Sequence, residues 1–495
     1  MGDGRRRRKK GMADHWQRVV EKESNSVDFV YSSFPYSYRP YSVSYYRSLI
    51  NNDLLHAVIL PALEGDNLRN DESVRMAIPI EKVQLIDDVN EAQSLLLKGY
   101  VMVLLEGDGK HDGILIPVPV VGGRSVTAPE VEFTVLGPKE AFVERLDTNL
   151  GLVRRRLPVS DLRVHRIEIG SLSKTQIAVL HIEGIANPEN VKTVQDRVKK
   201  ICYDDIIDSS FVAQMIKDQP NSVFPELLDT ERPDRVAGVL GEGKVVILVD
   251  GASQALIGPS TFSEFFTASD DYFIPWQMAT FFRFVRILSS VLSIIGSPLY
   301  VALLTYHYEL LPQDLVGILI ISRETVPFPP ILEAIILEWA IELIREAGAR
   351  LPTKVGQTIG IVGGIVIGTA AVQAGLTSNI LLIIVAASAL STFTSPIYQM
   401  GNAVRLIRFP MMLAAQMWGI LGIVLGVIFL CAHLIRMTSL GNPYLEPLFP
   451  LRISDFKDSY IRLPFSMQRR RPLELRTKDS QYMPKGDSSQ GGSSE

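Results

Sequence analysis

The C-terminal half of the chain contains the stretch ILSSVLSIIGSPLYVALLTY at residues 287–306, which carries no charged side chain. Three further long apolar runs follow at residues 355–376, 380–397 and 409–435. A helix needs roughly 20 apolar residues to cross the hydrocarbon core of a bilayer, and helices buried in soluble proteins are seldom as long and as uniformly apolar. The four runs therefore predict an all-α, polytopic membrane domain at residues 281–436.

A fifth stretch, residues 330–348, is apolar but interrupted by charges. On a helical wheel Glu338, Glu342 and Arg345 share one face, while Glu333 lies off it. The stretch is either an amphipathic helix at the membrane interface or a span whose polar face meets a water-filled cavity. The membrane domain is accordingly predicted to have four to six helices. The candidate intramembrane charges are Glu333, Glu338, Glu342 and Arg345.

The orientation of the membrane domain is predicted from basic residues, which favour the cytosolic side. The basic cluster at residues 5–10 is followed by polar rather than apolar sequence, so it is not the start of a secretory signal. The N-terminal part is therefore expected in the cytosol, and the chain is expected to be a multi-pass protein. Four spans would also place the basic C-terminal tail in the cytosol, whereas five would place Arg405 and Arg408 there.

The region before the membrane runs has the mixed composition of a soluble domain and contains an internal repeat. The sequence LLKGYVMVLLEGDGKHDGILIPVP at residues 96–119 has a counterpart in LGEGKVVILVDGASQALIGPS at residues 240–260. Each predicts a strand, a glycine-containing turn and a second strand, with helices on either side. Alternating strands and helices predict an α/β region of two related subdomains. The predicted parts are a polar, partly disordered lead-in at 1–45, subdomains at 46–160 and 161–280, and a basic tail with a disordered end at 437–495.

Few motifs in the soluble region point to chemistry. Cys202 and Cys431 are the only cysteines, so a disulfide framework is excluded. No Cys/His cluster has the spacing of metal ligands, and no hydrolase or metalloprotease motif is present. The segment from Gly238 to Lys244 is similar to a phosphate-binding loop, but it leads into a strand and lacks the Ser or Thr that follows the lysine in such loops. The sequence therefore predicts no enzymatic activity, no cofactor, no metal ion and no nucleic-acid partner.

The apolar run at residues 355–376 is the most informative of the four. Its glycines, spaced by four residues, let membrane helices approach closely. A second stripe, at spacings of three and four, is polar at its ends and apolar in the middle. In an oligomer this stripe could line a narrow pore with a hydrophobic constriction; in a single bundle its polar residues would bond to neighbouring helices. The candidate helix-packing residues are Gly356, Gly360, Gly364 and Gly368, and the candidate pore-lining residues are Thr358, Val362, Ile365, Thr369 and Gln373.

Several blocks of the chain, taken in order, resemble the A subunits of GerA-type spore germinant receptors. In the soluble region the resemblance rests on GPKEAFVE at residues 137–144, Thr148-Asn149, Arg154-Arg-Arg156 and ERPDRVAGVLGEGKVVILVDG at residues 231–251. In the membrane region and tail it rests on SPLYVAL (297–303), ELLP (309–312), SRE (322–324), VPFP (326–329), REAG (345–348), the run at 355–375 and LRISDFKD (451–458).

The resemblance implies a membrane subunit of a germinant receptor in the inner membrane of the spore. It implies a transporter-like B subunit and a lipoprotein C subunit as partners, and a homo-oligomeric ion channel that turns nutrient sensing into germination. Sporulation paralogues, including the stage V AF proteins, share the same blocks. Two other functions stand beside this one: a scaffold that anchors partners without a pore, and a secondary transporter with Glu333 or Glu338 as a proton-coupled site.

Overall fold

The computed structural model describes residues 16, 20–21, 23–24, 26–37, 40–63, 71–105, 113–119, 129, 132, 134, 136–350, 364, 368–468 and 470–482. These residues form two compact units. The first, called the α/β unit, takes in the described residues of 1–220, 227–259 and 468–495. The second, called the helical unit, takes in 221–226 and the described residues of 260–467.

The first half of the α/β unit is a five-stranded antiparallel sheet with helices. Its strands are β1 Phe29–Phe34, β2 Tyr41–Tyr46, β3 Gln84–Ile86, β4 Tyr100–Leu105 and β5 Gly113–Pro117, and its helices include α1 Asp71–Ala77 and α2 Val89–Leu96. A further helical segment follows β2, formed by Asn52–Leu54, Leu55–Ile59 and Leu60–Ala62. Strand β4 is apolar throughout because both of its faces are covered: Val101 and Val103 pack in one cluster and Met102 in another.

The second half of the α/β unit repeats this arrangement. Its strands are β6 Leu162–Ile169, β7 Thr175–Ile182, β8 Leu228–Thr230, β9 Val245–Val249 and β10 Ala255–Gly258. Its helices are α3 Leu146–Arg156, which precedes β6, α4 Pro188–Lys199, α5 Ser209–Met215 and α6 Pro233–Glu242. The strand order is β1-β2-β4-β5-β3 in the first sheet and β6-β7-β9-β10-β8 in the second, and all pairs are antiparallel. The two sheets thus share one strand order, as two related subdomains would.

The glycines near Lys244 have the structural role that the sequence predicted. Helix α6 ends at Gly243, whose φ of 101° is the left-handed conformation that closes helices, and β9 begins two residues later. Lys244 is buried, with 2% of its surface exposed. A helix followed by a strand is the reverse of the strand-to-helix order of a phosphate-binding loop.

Part of the predicted lead-in, residues 1–45, and part of the predicted basic tail, residues 437–495, are ordered where the structure describes them. Within 1–45, Phe29–Phe34 pairs with β2 along its whole length, and Val43 is buried. Alternate aromatic and aliphatic residues supply this core, which the high Tyr and Ser content of the segment conceals. Within 437–495, Arg471 Nε donates to Gly241 O over 2.8 Å, and Lys478 N donates to Ile185 O over 3.0 Å.

The helical unit contains six described helices of ten or more residues. They are α7 Trp276–Thr305, α8 Gln313–Arg323, α9 Pro330–Ala349, α10 Asn379–Thr392, α11 Tyr398–Trp418 and α12 Ile420–Arg436. Among the described residues, one helix, α7, is long and apolar enough to cross a membrane, with a mean hydropathy of 2.0. Helices α10 and α12 are apolar but shorter, with 14 and 17 residues.

The apolar run at 409–435 is not one helix, so this prediction is wrong. Helix α11 begins at Tyr398, well before the run, and the chain turns at Gly419, whose φ is 61°. A Cβ atom at Gly419 would lie 2.6 Å from His307 Nε2, so the turn depends on glycine. A Cβ atom at Gly422 would lie 2.0 Å from Ala414 O, so α11 and α12 pack closely after the turn.

Most of the run at 355–376 lies outside the described residues. Gly364 and residues 368–373 are helical. The helix ends before Gly375, whose φ is 67° and whose Cβ atom, if present, would lie 2.5 Å from Thr325 O. Ser378 then begins α10, where its hydroxyl accepts a hydrogen bond from Leu381 N over 3.2 Å. The turn at 375–378 thus follows the Gly-rich run directly.

Candidate functional site

The two sequence blocks of the α/β unit, 137–144 and 231–251, contact each other. Phe142 N donates to Glu231 O over 2.8 Å, and Gly251 N donates to Glu144 O over 2.7 Å. Leu146 N, at the start of α3, donates to an Asp250 carboxylate oxygen over 3.0 Å. Hydrogen bonds therefore hold the two blocks together where α3 begins and β9 ends.

A buried ion pair joins the two subdomains. Arg154 of α3 donates through two nitrogens to the two Asp28 carboxylate oxygens, each over 2.7 Å, and both side chains have 0% of their surface exposed. Burial alone raises the pKa of Asp28, but Arg154 and the hydroxyls of Ser26 and Ser48 outweigh it, so the pKa lies below its ordinary value. The guanidinium also lies 4.2 Å from the centre of the Tyr46 ring. The first arginine of the Arg154-Arg-Arg156 block is therefore a structural residue.

The helical unit buries a second ion pair, between α9 and α11. Arg408 NH1 lies 2.5 Å from a Glu338 carboxylate oxygen, and the two side chains are 2% and 1% exposed. Ser297 of α7 donates to the other Glu338 oxygen over 2.6 Å. Arg408 Nε donates to Ser293 O over 2.7 Å, which brings α7 into the same network. One carboxylate and one guanidinium thus connect three helices.

A third ion pair is formed by Arg323 and Glu333. Together with Tyr300 and Ser378 it forms a group of four residues that we call the turn cluster. Arg323 lies 2.7 Å from Glu333, which is fully buried. The other Glu333 oxygen accepts from Ser378 N over 3.4 Å, and the Tyr300 and Ser378 hydroxyls are 2.9 Å apart. Arg323 also donates to Phe328 O over 3.0 Å. The cluster therefore attaches the turn after the Gly-rich run to helices α7, α8 and α9.

The N-terminal end of α7 is fixed by charged residues. Arg283 and Arg286 both bond to the buried Asp271, over 3.1 Å and 2.8 Å. Arg283 is also 3.5 Å from Asp458 of the LRISDFKD block, and the Tyr272 hydroxyl donates to Asp458 over 3.1 Å. These interactions lie directly before the charge-free stretch 287–306.

The candidate intramembrane charges divide into two kinds. Glu333 and Glu338 are buried and bind arginines of other helices, as described above. Glu342 and Arg345 form an ion pair within α9, one turn apart, with 24% and 28% of their side chains exposed. The charges of Glu342 and Arg345 therefore neutralise each other within α9.

The candidate pore and packing residues are only partly described. Thr358, Val362, Ile365, Gly356 and Gly360 lie outside the described residues. Thr369, Gln373 and Gly364 are exposed in the isolated chain. Gly368 is buried, and a Cβ atom there would lie 3.6 Å from the Leu382 side chain.

Two arginines that bind these carboxylates, Arg323 and Arg408, are not among the candidate site residues predicted from the sequence. Arg408 lies directly before the apolar run at 409–435 but inside helix α11, and the sequence alone does not show that it is buried. A basic residue inside an otherwise apolar helix needs an acidic partner, and Glu338 is such a partner. Within the described part of the chain, no group of three or more His, Cys, Asp or Glu residues could hold a metal ion.

Comparison with known proteins identifies the family. Residues 17–474 match the family described as Bacillus/Clostridium GerA spore germination protein. Spore germination protein GerQA of Bacillus cereus is 46% identical over 93% of this chain and 92% of its own length. GerIA of Bacillus cereus is 44% identical over 95% of this chain and 70% of its own length.

One solved structure is also similar in part. The crystal structure of the N-terminal domain of the A subunit of the Bacillus megaterium spore germinant receptor GerK3 is 31% identical, with a TM-score of 0.39 over 50% of this chain and 94% of that chain. The match to the family extends over nearly the whole chain, and the resemblance found in the sequence blocks is thereby confirmed. The chain belongs to the GerA family of spore germination proteins.

Proposed function

We propose that this chain is the A-type membrane subunit of a spore germinant receptor. In this role it spans the membrane several times, with its N-terminal α/β unit in the cytosol, and passes the signal of nutrient sensing to the membrane. The transporter-like B-type subunit and the lipoprotein C-type subunit of such a receptor are its expected partners. The similarity to GerQA and GerIA, both spore germination proteins, supports this assignment.

We further propose that the helical unit forms an ion channel as a homo-oligomer. The pore in this proposal is lined by the stripe Thr358, Val362, Ile365, Thr369 and Gln373, with Val362 and Ile365 at its narrowest part. The glycine stripe of the same run permits close packing against a neighbouring helix. Thr369 and Gln373 are exposed in the isolated chain, as residues of a pore shared among subunits must be.

The observation that carries the proposal is the turn cluster. The Arg323–Glu333 pair reaches the backbone of Ser378, immediately after the proposed pore segment. Movement of α8 or α9 is thereby linked to the end of that segment through a buried charge pair. Such a pair is costly to break inside an apolar bundle, so it is suited to hold a closed state until a partner subunit shifts these helices.

The pairing also favours a channel over a proton-coupled transporter. A proton-carrying carboxylate must gain and lose its proton during the cycle. Glu333 and Glu338 are each held in an ion pair by an arginine of another helix, and a transport cycle would have to break these ion pairs.

The experiment compares two substitutions in the proposed pore segment, in spores that carry this chain as their only receptor A subunit. Val362→Thr adds a hydroxyl to the proposed stripe, and Ile367→Thr adds one at a position that helical spacing predicts to be on the opposite side. The proposal predicts early release of monovalent ions and loss of dormancy for Val362→Thr, and normal dormancy for Ile367→Thr. Equal dormancy and equal ion release in the two variants, at equal protein levels, would contradict it.

A further inference from the structure

A groove between α9 and α11 has a lining whose described residues include none of the turn cluster or of the proposed pore stripe. Its volume is about 550 Å³, and Trp339, Arg345, Asn402, Arg405 and Phe409 contribute to its lining. The groove is enclosed on one side by two helices of the same unit and is open on the other. Its surface is largely apolar, with a small number of polar groups, as in sites for small amphiphilic ligands.

The guanidinium of Arg405 has no partner among the residues that the structure describes. Its Nε atom is buried and makes no hydrogen bond, whereas Arg408, one turn further along α11, binds Glu338, Ser293 and Ser388. The Arg405 side chain as a whole is half-buried, and a cation that is partly removed from water beside apolar side chains is stabilised by an anionic partner. Arg405 therefore lacks the anion that a charged group in such a place requires.

The remaining charges of the groove cancel. Glu342 also lines it, but Glu342 is paired with Arg345. The lining therefore carries one net positive charge, that of Arg405. Asn402 adds a side-chain amide whose Oδ1 atom is buried without a partner. A ligand with one negative charge and neighbouring hydroxyl groups would satisfy both side chains.

The rim of the groove is apolar and exposed. Trp339 and Leu406 are 65% and 56% exposed. On α9, exposed apolar side chains recur at helical spacing and form a continuous stripe, consisting of Leu332, Ile336, Trp339 and Leu343. A water-facing helix would seldom present such a stripe, whereas acyl chains pack on it without loss.

We propose that this groove binds an anionic phospholipid, with the phosphate on Arg405 and the acyl chains along the apolar stripe of α9. The occupant needs a single negative charge and long apolar chains, which a phosphatidylglycerol-type lipid provides. Basic pockets between membrane helices bind the headgroups of acidic lipids in this manner. The inference rests on the proposed placement of the helical unit in a membrane, but not on the proposed channel.

The experiment is native mass spectrometry of the full-length chain purified in detergent with equal amounts of dioleoyl phosphatidylglycerol and dioleoyl phosphatidylcholine. The wild-type chain is expected to retain phosphatidylglycerol in preference. Arg405→Gln should lower this preference about tenfold, because a charge-assisted bond to the phosphate is lost. Arg350→Gln is the matched control, since Arg350 is exposed and paired with Glu346, and it should leave the preference unchanged.

A second variant keeps the test decisive if Arg405→Gln does not fold. Asn402→Asp places a carboxylate beside Arg405 and should also abolish the preference. Equal retention of the two lipids by the wild-type chain would overturn the proposal, as would equal behaviour of Arg405→Gln and Arg350→Gln. Displacement by inorganic phosphate at the same concentration would identify a free-anion site instead. Loss of oligomers in Arg405→Gln with unchanged lipid retention would also overturn the proposal. It would indicate that Arg405 forms an ion pair with a carboxylate of a second copy of the chain.

The outcome is separable from that of the proposed function. The measurement involves no ion flux, so a chain without channel activity can still show the lipid preference. A chain that stays in aqueous solution without detergent and carries no lipid would contradict the membrane placement itself.

Discussion

The α/β unit and the helical unit each bury an arginine–carboxylate pair, but the two pairs are supported differently. Arg154 and Asp28 lie at a joint between two subdomains, and each subdomain has its own sheet. Arg408 and Glu338 connect three helices of a bundle, and two serines of α7 complete the network. The first pair adds to a fold that sheets already define, whereas the second contributes to the mutual positions of three helices.

The largest expected effect is from breaking the pair in the helical unit. Glu338→Gln leaves Arg408 buried without an opposite charge and should lower the free energy of unfolding by about 3–5 kcal/mol. Chemical unfolding of the full-length chain in detergent measures the change. Glu346→Gln is the control, because Glu346 is 66% exposed in its pair with Arg350; that change should cost less than about 1 kcal/mol. Equal losses of unfolding free energy in the two variants would show that the buried pair of Glu338 stabilises the fold no more than the exposed pair of Glu346.

A smaller loss is expected in the α/β unit. Asp28→Asn should lower the free energy of unfolding by about 3 kcal/mol, at the lower end of the range for a broken buried pair. Arg154 keeps the hydroxyl of Ser26 at 2.9 Å and the Tyr46 ring as neighbours, which reduces the loss. Glu183→Gln is a matched control, since Glu183 is 59% exposed in its pair with Arg163. If Asp28→Asn lowered the free energy of unfolding no more than the control, the contact between the two subdomains would not depend on the charge of Asp28.

The sequence permitted more of the α/β unit to be predicted than of the helical unit. Strands, turns and caps are local, so the hairpins of β4–β5 and β9–β10 and the Asn187 cap of α4 follow from short motifs. Gly419 lies against His307, which is more than a hundred residues away in the sequence, and no local pattern indicates the interruption there. The partners of Glu333 and Glu338 are likewise set by helix packing, although the need for partners could be inferred from their apolar surroundings.

The smallest effect expected is a pH dependence in the second sheet. Burial, with a contribution from His165, lowers the pKa of His181 to about 4. Because this pKa is below the ordinary value of about 6.5, the unfolded state binds the proton more tightly, and stability is lost as pH falls from about 6.5 towards 4. His181→Gln should weaken the acid dependence of thermal unfolding over this interval, whereas replacement of the exposed His56 by Gln should leave it as in the wild type. An unchanged dependence in His181→Gln would contradict this assignment.

We propose a signalling role for the Arg323–Glu333 pair of the helical unit and a purely structural role for the Arg154–Asp28 pair of the α/β unit. Ion release from spores, timed after addition of nutrient and normalised to the amount of this chain, tests that difference most directly. Glu333→Gln is predicted to alter the onset of release, including release without nutrient, because Glu333 holds the turn after the proposed pore segment. Asp28→Asn is predicted to lower the amount of protein and to leave the normalised release unchanged. Normal release in Glu333→Gln, or the same altered release in both variants, would contradict the account.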